Sequence, residues 1–170
     1  MCSSDLTPDE IWKGLKKCKT VWGRNQLLQT PSKAQIIFDG YNANPESMKV
    51  LLENVQNLKA DHRKIGVFGQ MLEMGEASEK FHAELGEQVG SAGFAEVFFY
   101  GKDFELFTAG VLKTNPQVQV HAQLDFTDSL ALQLAALVKS NDLVVVKGSR
   151  GMRLERMILQ LNPIGFNEKK

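Results

Sequence analysis

The side chains best suited to ligand chemistry lie in one short polar turn in the first third of the chain. Four of them follow an apolar, β-branched run: Asp39, Tyr41, Asn42 and Asn44. A carboxylate can accept hydrogen bonds from two ribose hydroxyls, an aromatic ring can lie against a base, and an amide can pair with an adenine edge. The turn therefore favours a nucleoside site. The alternative is purely structural, because asparagine-rich turns are common and Asn44 before Pro45 is typical of a helix cap.

A second polar turn covers residues 69–76 and carries Glu73 between flanking methionines and glycines. Glu73 offers a carboxylate to a polar ligand. Met71 is more typical of packing in a loop or core. His82 follows in a predicted helix, and no second histidine or cysteine stands at metal-ligand spacing from it. We therefore expect Met71 and His82 to support the loop rather than to catalyse.

A third polar turn ends the last predicted strand and delivers two cations and a hydroxyl to a helix start: Lys147, Ser149 and Arg150. Free backbone amides at a helix N-terminus, together with such cations, bind carboxylates and phosphates well. The turn therefore predicts an anion site. As with the other turns, a purely structural role is the alternative.

Several catalytic signatures are absent from the sequence. It contains no Gly-x-x-x-x-Gly-Lys-Ser/Thr phosphate loop, no Gly-x-Gly-x-x-Gly after the first strand and no Gly-x-Ser-x-Gly nucleophile elbow. Its two cysteines, Cys2 and Cys18, form neither a disulfide framework nor a metal motif. We therefore predict ligand-binding turns, no catalytic residue and no metal site in this chain.

The elements that must position these turns alternate between strand and helix from residue 35 onward. Strands are predicted at 36–39, 64–69, 96–101, 117–121 and 143–147. Helices are predicted at 45–59, 77–91, 103–113, 128–140 and 151–161. Continuous apolar strands between amphipathic helices indicate an α/β, Rossmann-like, mostly parallel sheet with helices on both faces. The polar turns then share its carboxyl edge, where such folds bind ligands, and the alternating 117–121 strand should lie near a sheet edge.

The segment before the sheet has a different pattern. Thr7-Pro8-Asp9-Glu10 is a capping box, and it predicts a helix over 7–18 with an apolar stripe that includes Trp12. This stripe is too small to form a core alone, so we expect it to pack on the following domain or on a part of the protein outside this chain. The turn-rich stretch 29–34 predicts a hinge or linker.

The composition of the 170-residue chain is typical of a globular protein, with 43% hydrophobic and 24% charged residues. Lysine plus arginine and aspartate plus glutamate number 20 each, so no net field favours nucleic acid or an anionic membrane. No apolar run is long enough to cross a bilayer, and no secretory signal is evident at the start. We expect a cytoplasmic protein with reduced thiols, no nucleic-acid partner and no membrane insertion.

Taken together, the motifs resemble the C-terminal domain of the Mur ligases over about residues 6–161. The resemblance rests on Asp39-Gly-Tyr-Asn-Ala-Asn-Pro, on Gly69-Gln-Met-Leu-Glu-Met-Gly-Glu with His82, on Val-Lys147-Gly-Ser-Arg, and on Gly23-Arg24. Gln70 departs from the family pattern, in which an aspartate is expected. The resemblance implies that residues 1–30 are the tail of a central ATPase domain and that residues 31–170 are the C-terminal domain.

The resemblance further implies an ATP- and Mg²⁺-dependent amide ligase of peptidoglycan synthesis. An N-terminal domain would hold UDP-N-acetylmuramoyl-tripeptide, and a central domain would activate its carboxylate as an acyl phosphate. The C-terminal domain would close over the site with the incoming amine, D-alanyl-D-alanine. This chain alone should then be inactive, and Mg²⁺ should bind elsewhere in the enzyme.

The resemblance also implies roles for individual residues. Contacts to ATP would come from Arg24, Asp39, Tyr41, Asn42 and Asn44, with Asp39 on the ribose. Contacts to the dipeptide would come from Glu73, Lys147, Ser149 and Arg150.

Two alternative functions remain open from the sequence. The first is a non-catalytic module that binds a nucleotide or a peptidoglycan precursor, or docks on a partner ligase. The packing of the 7–18 helix would distinguish this module from a piece of a larger enzyme. If the apolar stripe is buried within the chain, an independent module is favoured; if it is not, the chain is part of a larger protein. A flavin or nicotinamide protein is disfavoured by the missing glycine fingerprint.

Overall fold

The computed structural model describes residues 7, 9–10, 20–58 and 63–167. Its six strands are β1 (Gln26–Gln29), β2 (Gln35–Asp39), β3 (Lys64–Gly69), β4 (Glu96–Tyr100), β5 (Gln119–Gln123) and β6 (Leu143–Lys147). They form one sheet in the order β1-β2-β6-β3-β4-β5. Only β1 runs antiparallel to its neighbour, and the other four pairings are parallel. The predicted fold class is confirmed.

Within residues 20–58 and 63–167, four α-helices connect the parallel strands: α1 (Pro45–Asn57), α2 (Ser78–Ser91), α3 (Phe104–Thr114) and α4 (Asp128–Leu137). A further helix, α5 (Glu155–Ile158), follows β6. Short 3-10 turns occupy Gly75–Ala77, Arg150–Met152 and Leu159–Leu161. The start of α1 follows from its sequence, since proline at the first helical position has no amide hydrogen to lose. Among the described residues, no helix combines the length and apolar character needed to cross a membrane.

The core consists of two layers, one on each face of the sheet. Helices α1, α2 and α3 cover one face, and α4 and α5 cover the other. Strand β6 contributes to both layers, because Val145 packs on the first while Val144 and Val146 pack on the second. All three side chains are fully buried. Burial on both faces explains why this strand is a continuous apolar run rather than an alternating one.

The strand order decides which turns are neighbours. The last strand, β6, lies between β2 and β3, although these two are consecutive elements of the parallel sheet. The turns that follow β2, β6 and β3 therefore lie side by side at the carboxyl edge. These are the three polar turns that the sequence predicted to share one edge.

The structure differs from the sequence-based predictions in three main respects. Strand β1 was not predicted, since a four-residue edge strand with glutamine at both ends has too weak an apolar pattern. The 29–34 stretch forms the tight turn between β1 and β2, closed by a 2.9 Å hydrogen bond from the Thr30 amide to the Ala34 carbonyl. The single helix predicted over 151–161 is wrong, because Arg153 adopts a left-handed conformation that interrupts it.

Two further expectations concern strand β5 and the capping box near the start of the chain. Strand β5 begins two residues later than predicted, and its position at the sheet edge is confirmed. The capping box is confirmed, because the Thr7 amide donates to Glu10 Oε2 and the Glu10 amide donates to Thr7 Oγ1. The remainder of the 7–18 helix, including Trp12, lies outside the described residues, so its packing stays a prediction.

Helices α2 and α3 approach closely because glycines line their contact. A Cβ atom on Gly86 would overlap the carbonyl oxygen of Phe107, and one on Gly110 would overlap the carbonyl oxygen of Ala83. The backbones thus meet directly, and backbone atoms cannot move aside as a flexible side chain can. This contact fixes α2, which carries His82 toward the turn after β3.

We predict that Gly86→Ala lowers the free energy of unfolding by about 1–3 kcal/mol through overpacking. The intrinsic helix preference of alanine, worth about 1 kcal/mol, acts in the opposite direction. Urea denaturation followed by circular dichroism measures the balance. Lys80→Ala, at an exposed position of the same helix, should change stability by less than about 0.5 kcal/mol. A more stable Gly86→Ala variant would show that the helices do not meet through this glycine.

Candidate functional site

The β2 turn, residues 39–44, is tied to the neighbouring strand by an ion pair. Lys147 Nζ lies 2.5 Å from Asp39 Oδ2 and also donates to the Asn42 carbonyl at 3.0 Å. The other carboxylate oxygen, Asp39 Oδ1, accepts from the Asn25 amide at 3.3 Å. Lys147 is buried. Two residues that the resemblance assigned to different ligands thus contact each other directly.

Arg24 joins the same turn through an aromatic contact. Its guanidinium carbon lies 4.4 Å from the centroid of the Tyr41 ring, within the range of a cation–π interaction. The Tyr41 amide also donates to the Gly23 carbonyl at 3.0 Å. The structure therefore brings together Arg24, Asp39 and Tyr41, which the resemblance assigned to one ligand.

Asn44 acts as the helix cap of α1. Its Oδ1 accepts from the Ser47 amide at 2.8 Å, and the Ser47 hydroxyl accepts from the Asn44 amide at 3.2 Å. This reciprocal arrangement satisfies backbone donors that the first helical turn would leave unpaired. The structural interpretation of Asn44 is confirmed, and its predicted contact with adenine stays a prediction.

His82 holds the β3 loop, residues 70–77, through a hydrogen bond with the loop backbone. The Met71 amide donates to His82 Nε2 at 2.8 Å, so this nitrogen must be the unprotonated one. Nδ1 therefore carries the proton and donates to the Ser78 carbonyl at 2.8 Å, with Asp103 Oδ2 at 2.9 Å. Burial lowers the pKa of His82, and this outweighs the opposing effects of the Ser78 carbonyl and Asp103. The expected supporting role of His82 matches these contacts.

Gln70 connects the β3 loop to the turn after β4. Its Nε2 donates to Asp103 Oδ2 at 2.5 Å and to Ser78 Oγ at 3.1 Å, and its Oε1 accepts from the Asp103 amide at 3.2 Å. Burial raises the pKa of Asp103, but the hydrogen bonds from Ser78 and Gln70 together hold it below its usual value. The amide of Gln70 can both donate and accept here, which a carboxylate at this position could not do.

A cavity of about 410 Å³ opens beside this network at the carboxyl edge. Its walls include apolar side chains and three charged ones: Met71, Leu72, Met74, Glu73, Lys102 and Asp125. Sequence reasoning missed Lys102 and Asp103. The signal was available, because Lys102 and Asp103 come directly after the strand predicted at 96–101.

The β6 turn, residues 147–152, has side chains that contact different neighbours. Ser149 Oγ accepts from the Leu72 amide at 2.9 Å and so contacts the β3 loop. Arg150 Nη1 donates to Glu155 Oε1 at 2.7 Å, and its guanidinium carbon lies 4.7 Å from the Trp22 ring centroid. The three residues predicted to form one anion site, Lys147, Ser149 and Arg150, thus have separate surroundings.

Metal binding has no support within the part of the chain that the structure describes. There, no three residues among histidine, cysteine, aspartate and glutamate are grouped so that they could hold an ion. The described residues therefore do not fit a resident Mg²⁺ ion. Paired charges and hydrogen-bonded loops are what this edge offers a ligand.

The fold and the edge together define an open α/β domain with polar turns at the carboxyl ends of its strands, the edge at which such folds bind ligands. The chain belongs to the Mur ligase family. Residues 23–150 match the family model described as the Mur ligase, glutamate ligase domain. The resemblance to the C-terminal domain of this family is confirmed.

Curated relatives with similar sequences are UDP-N-acetylmuramoyl-tripeptide–D-alanyl-D-alanine ligases. The Bacillus subtilis protein is 35% identical over 160 residues, which cover 92% of this chain and 34% of that protein. The Escherichia coli protein is 30% identical over 167 residues, which cover 96% of this chain and 34% of that protein. The chain thus spans about a third of the length of these relatives.

Solved structures with similar folds include ligases named MurF. The Thermotoga maritima enzyme in complex with ADP has a TM-score of 0.69 and 28% identity, over 89% of this chain and 35% of that one. An Acinetobacter baumannii MurF has a TM-score of 0.77 over 92% and 34% of the two chains. At 22% identity, the second similarity shows the fold alone.

We predict that stability decreases on acidification because His82 is buried in its neutral form. The unfolded chain takes up a proton near pH 6.5, whereas folded His82 resists protonation until lower pH. Below about pH 6.5, His82 should thus contribute a slope of up to about 1.4 kcal/mol per pH unit, with stability falling as pH falls. Denaturation between pH 7.5 and 5.5 should show a shallower slope for His82→Gln than for the wild type.

His121→Gln is the matched comparison, because His121 is partly exposed and pairs with Glu96 on the opposite face from α2. Carboxylates with ordinary pKa values titrate mainly below this pH range, so they add little to the slope of any of the three proteins. Equal slopes for wild type and His82→Gln would contradict a neutral, buried His82.

Proposed function

We propose that this chain is the C-terminal domain of an ATP-dependent ligase that joins D-alanyl-D-alanine to UDP-N-acetylmuramoyl-tripeptide in peptidoglycan synthesis. The observation that carries the proposal is the match of 92% of the chain to a relative named for that reaction. The reaction would take place in the cytoplasm, with the UDP-linked tripeptide bound by domains outside this chain. Alone, the chain would not be active.

The nucleoside half-site would be the β2 turn with Arg24. Asp39 would accept from the ribose hydroxyls, and Tyr41, Asn42 and Asn44 would line the adenine. The cation–π contact between Arg24 and Tyr41 supports a shared role for these residues. The relative solved with ADP supports a nucleotide as the ligand of such a protein. Mg²⁺ would accompany the triphosphate and bind to other domains.

The dipeptide half-site would be the cavity beside the β3 loop. D-Alanyl-D-alanine is a zwitterion with two methyl side chains, so it needs a cation, an anion and apolar walls. The cavity offers these as Lys102, as Glu73 and Asp125, and as a lining rich in methionine and leucine. Lys102 would bind the dipeptide carboxylate, and Ser149 would act by fixing the Leu72 amide in the loop. Arg150 would contribute from the adjoining turn.

The chemical contribution of the domain would be positioning. The dipeptide amine attacks the carbonyl carbon of an acyl phosphate, inorganic phosphate leaves, and the nitrogen loses a proton as the amide forms. Holding the amine beside the activated carbonyl raises its effective concentration, and closure of the domain excludes water from the acyl phosphate. The domain therefore has ligand-binding turns and needs no catalytic residue of its own.

We predict that, in the full-length ligase containing this domain, Asp39→Asn and Lys102→Met affect different substrates. Hydrogen bonds to charged groups contribute about 1.5–3 kcal/mol, which corresponds to about 10- to 100-fold in KM. Asp39→Asn should raise the KM for ATP by that factor, and Lys102→Met should raise the KM for the dipeptide. Steady-state phosphate release measures both.

Lys113→Met is the control, because Lys113 is exposed and pairs with Glu87 between α2 and α3. It should leave both KM values within twofold of the wild type. If Lys102→Met leaves the dipeptide KM unchanged, the dipeptide does not bind in this cavity. If the wild-type enzyme shows no ligation with D-alanyl-D-alanine, the proposed reaction is wrong.

A further inference from the structure

We propose that Lys147 is a positioning residue for the nucleotide: it holds the β2 turn in its binding conformation and does not contact the dipeptide. The inference rests on the proposed function and reverses the role that family resemblance suggests for this lysine. It depends on the register of the sheet, the burial of the ion pair and the division of contacts along the β6 turn.

The register of the sheet places the two charged residues side by side. Asp39 is the last residue of β2 and Lys147 is the last residue of β6, and the parallel pairing aligns these two positions. Residues aligned in neighbouring strands project from the same face of the sheet. The ammonium group of Lys147 can therefore reach both the Asp39 carboxylate, at the start of the turn, and the Asn42 carbonyl further along it.

Burial makes this pair an organising contact rather than a surface one. The Lys147 side chain is 3% exposed and the Asp39 side chain is 14% exposed. A cation removed from water in this way requires a paired anion and hydrogen-bond acceptors. Lys147 finds them in the β2 turn, so the position of the turn depends on the contacts of this lysine.

The paired carboxylate retains capacity for a nucleoside. An ionised carboxylate has about four acceptor positions on its two oxygens. Lys147 occupies one on Oδ2 and the Asn25 amide occupies one on Oδ1. About two positions remain, which is the number that a ribose diol would use. The two protein contacts fix the plane of the carboxylate before the nucleotide arrives, so less ordering is needed on binding.

Two residues of the β6 turn support different half-sites. Lys147 contacts the β2 turn, whereas Ser149 contacts the β3 loop through the Leu72 amide. The same strand end therefore supports both half-sites through side chains two positions apart. On this geometry, loss of the Lys147 ammonium should affect nucleotide binding selectively.

The test compares Lys147→Met with wild type in the full-length ligase. Methionine keeps an unbranched side chain of similar length and removes the charge. We expect the KM for ATP to rise at least tenfold, with the dipeptide KM within twofold of wild type and Lys147→Arg recovering most of the loss. The control Arg63→Met removes the partly buried ion pair with Asp142 at the other end of β6. It should lower stability and leave both KM values within twofold.

A rise in the dipeptide KM, equal rises in both KM values, or no change in either would overturn the proposal. A second measurement separates this result from the proposed function. In the 170-residue chain, Lys147→Met should shift the backbone amide signals of Asn25 and Asn42, and Arg63→Met should not. Unchanged signals would overturn the positioning role whatever the substrate. Shifted signals, together with no ligation by the full-length wild-type protein, would support that role and reject the proposed reaction instead.

Discussion

Strand β6 is the constraint on which the remaining structure depends. It is hydrogen-bonded to β2 on one side and β3 on the other, and its central valines are fully buried on both faces. A shift of one residue in the pairing of β6 would move Val145 into the second core layer and Val144 and Val146 into the first. Core packing therefore specifies the register strongly. That register aligns Lys147 with Asp39 and delivers Ser149 to the β3 loop. The geometry of the site is thus a consequence of core packing.

The carboxyl edge is stabilised by charges that are removed from water and paired. The main pairs are Lys147 with Asp39 and Arg150 with the fully buried Glu155. Such pairs contribute little net stability, because desolvation offsets much of the attraction, but removing one partner is costly. Their effect is to hold each loop in one arrangement. A domain that must present two ligands in a fixed relation requires this kind of rigidity.

If the proposed function is correct, this organisation accounts for how a domain without a phosphate-loop motif would contribute to a ligation through positioning. The two proposed half-sites lie on either side of the end of β6, and residues of each already hydrogen-bond to neighbouring elements. In a complete ligase, closure of this domain would bring the amine to the activated carboxylate and the nucleoside contacts to the nucleotide. The same design explains why the isolated chain should bind weakly, because each half-site supplies only part of the contacts that its ligand needs.

The sequence by itself determined the fold class, the parallel strands and the three polar turns, because buried strands, helix caps and turn residues are local patterns. Asn44 illustrates this, since its role as a cap could be inferred from Pro45 alone. Sequence missed β1, whose edge position carries little apolar signal, and it joined residues 151–161 into one helix across Arg153. Which polar side chains contact each other was decided only by tertiary structure. The pairing of Lys147 with Asp39 joins residues distant in the chain, and it follows from the insertion of β6 between β2 and β3, which no local pattern encodes.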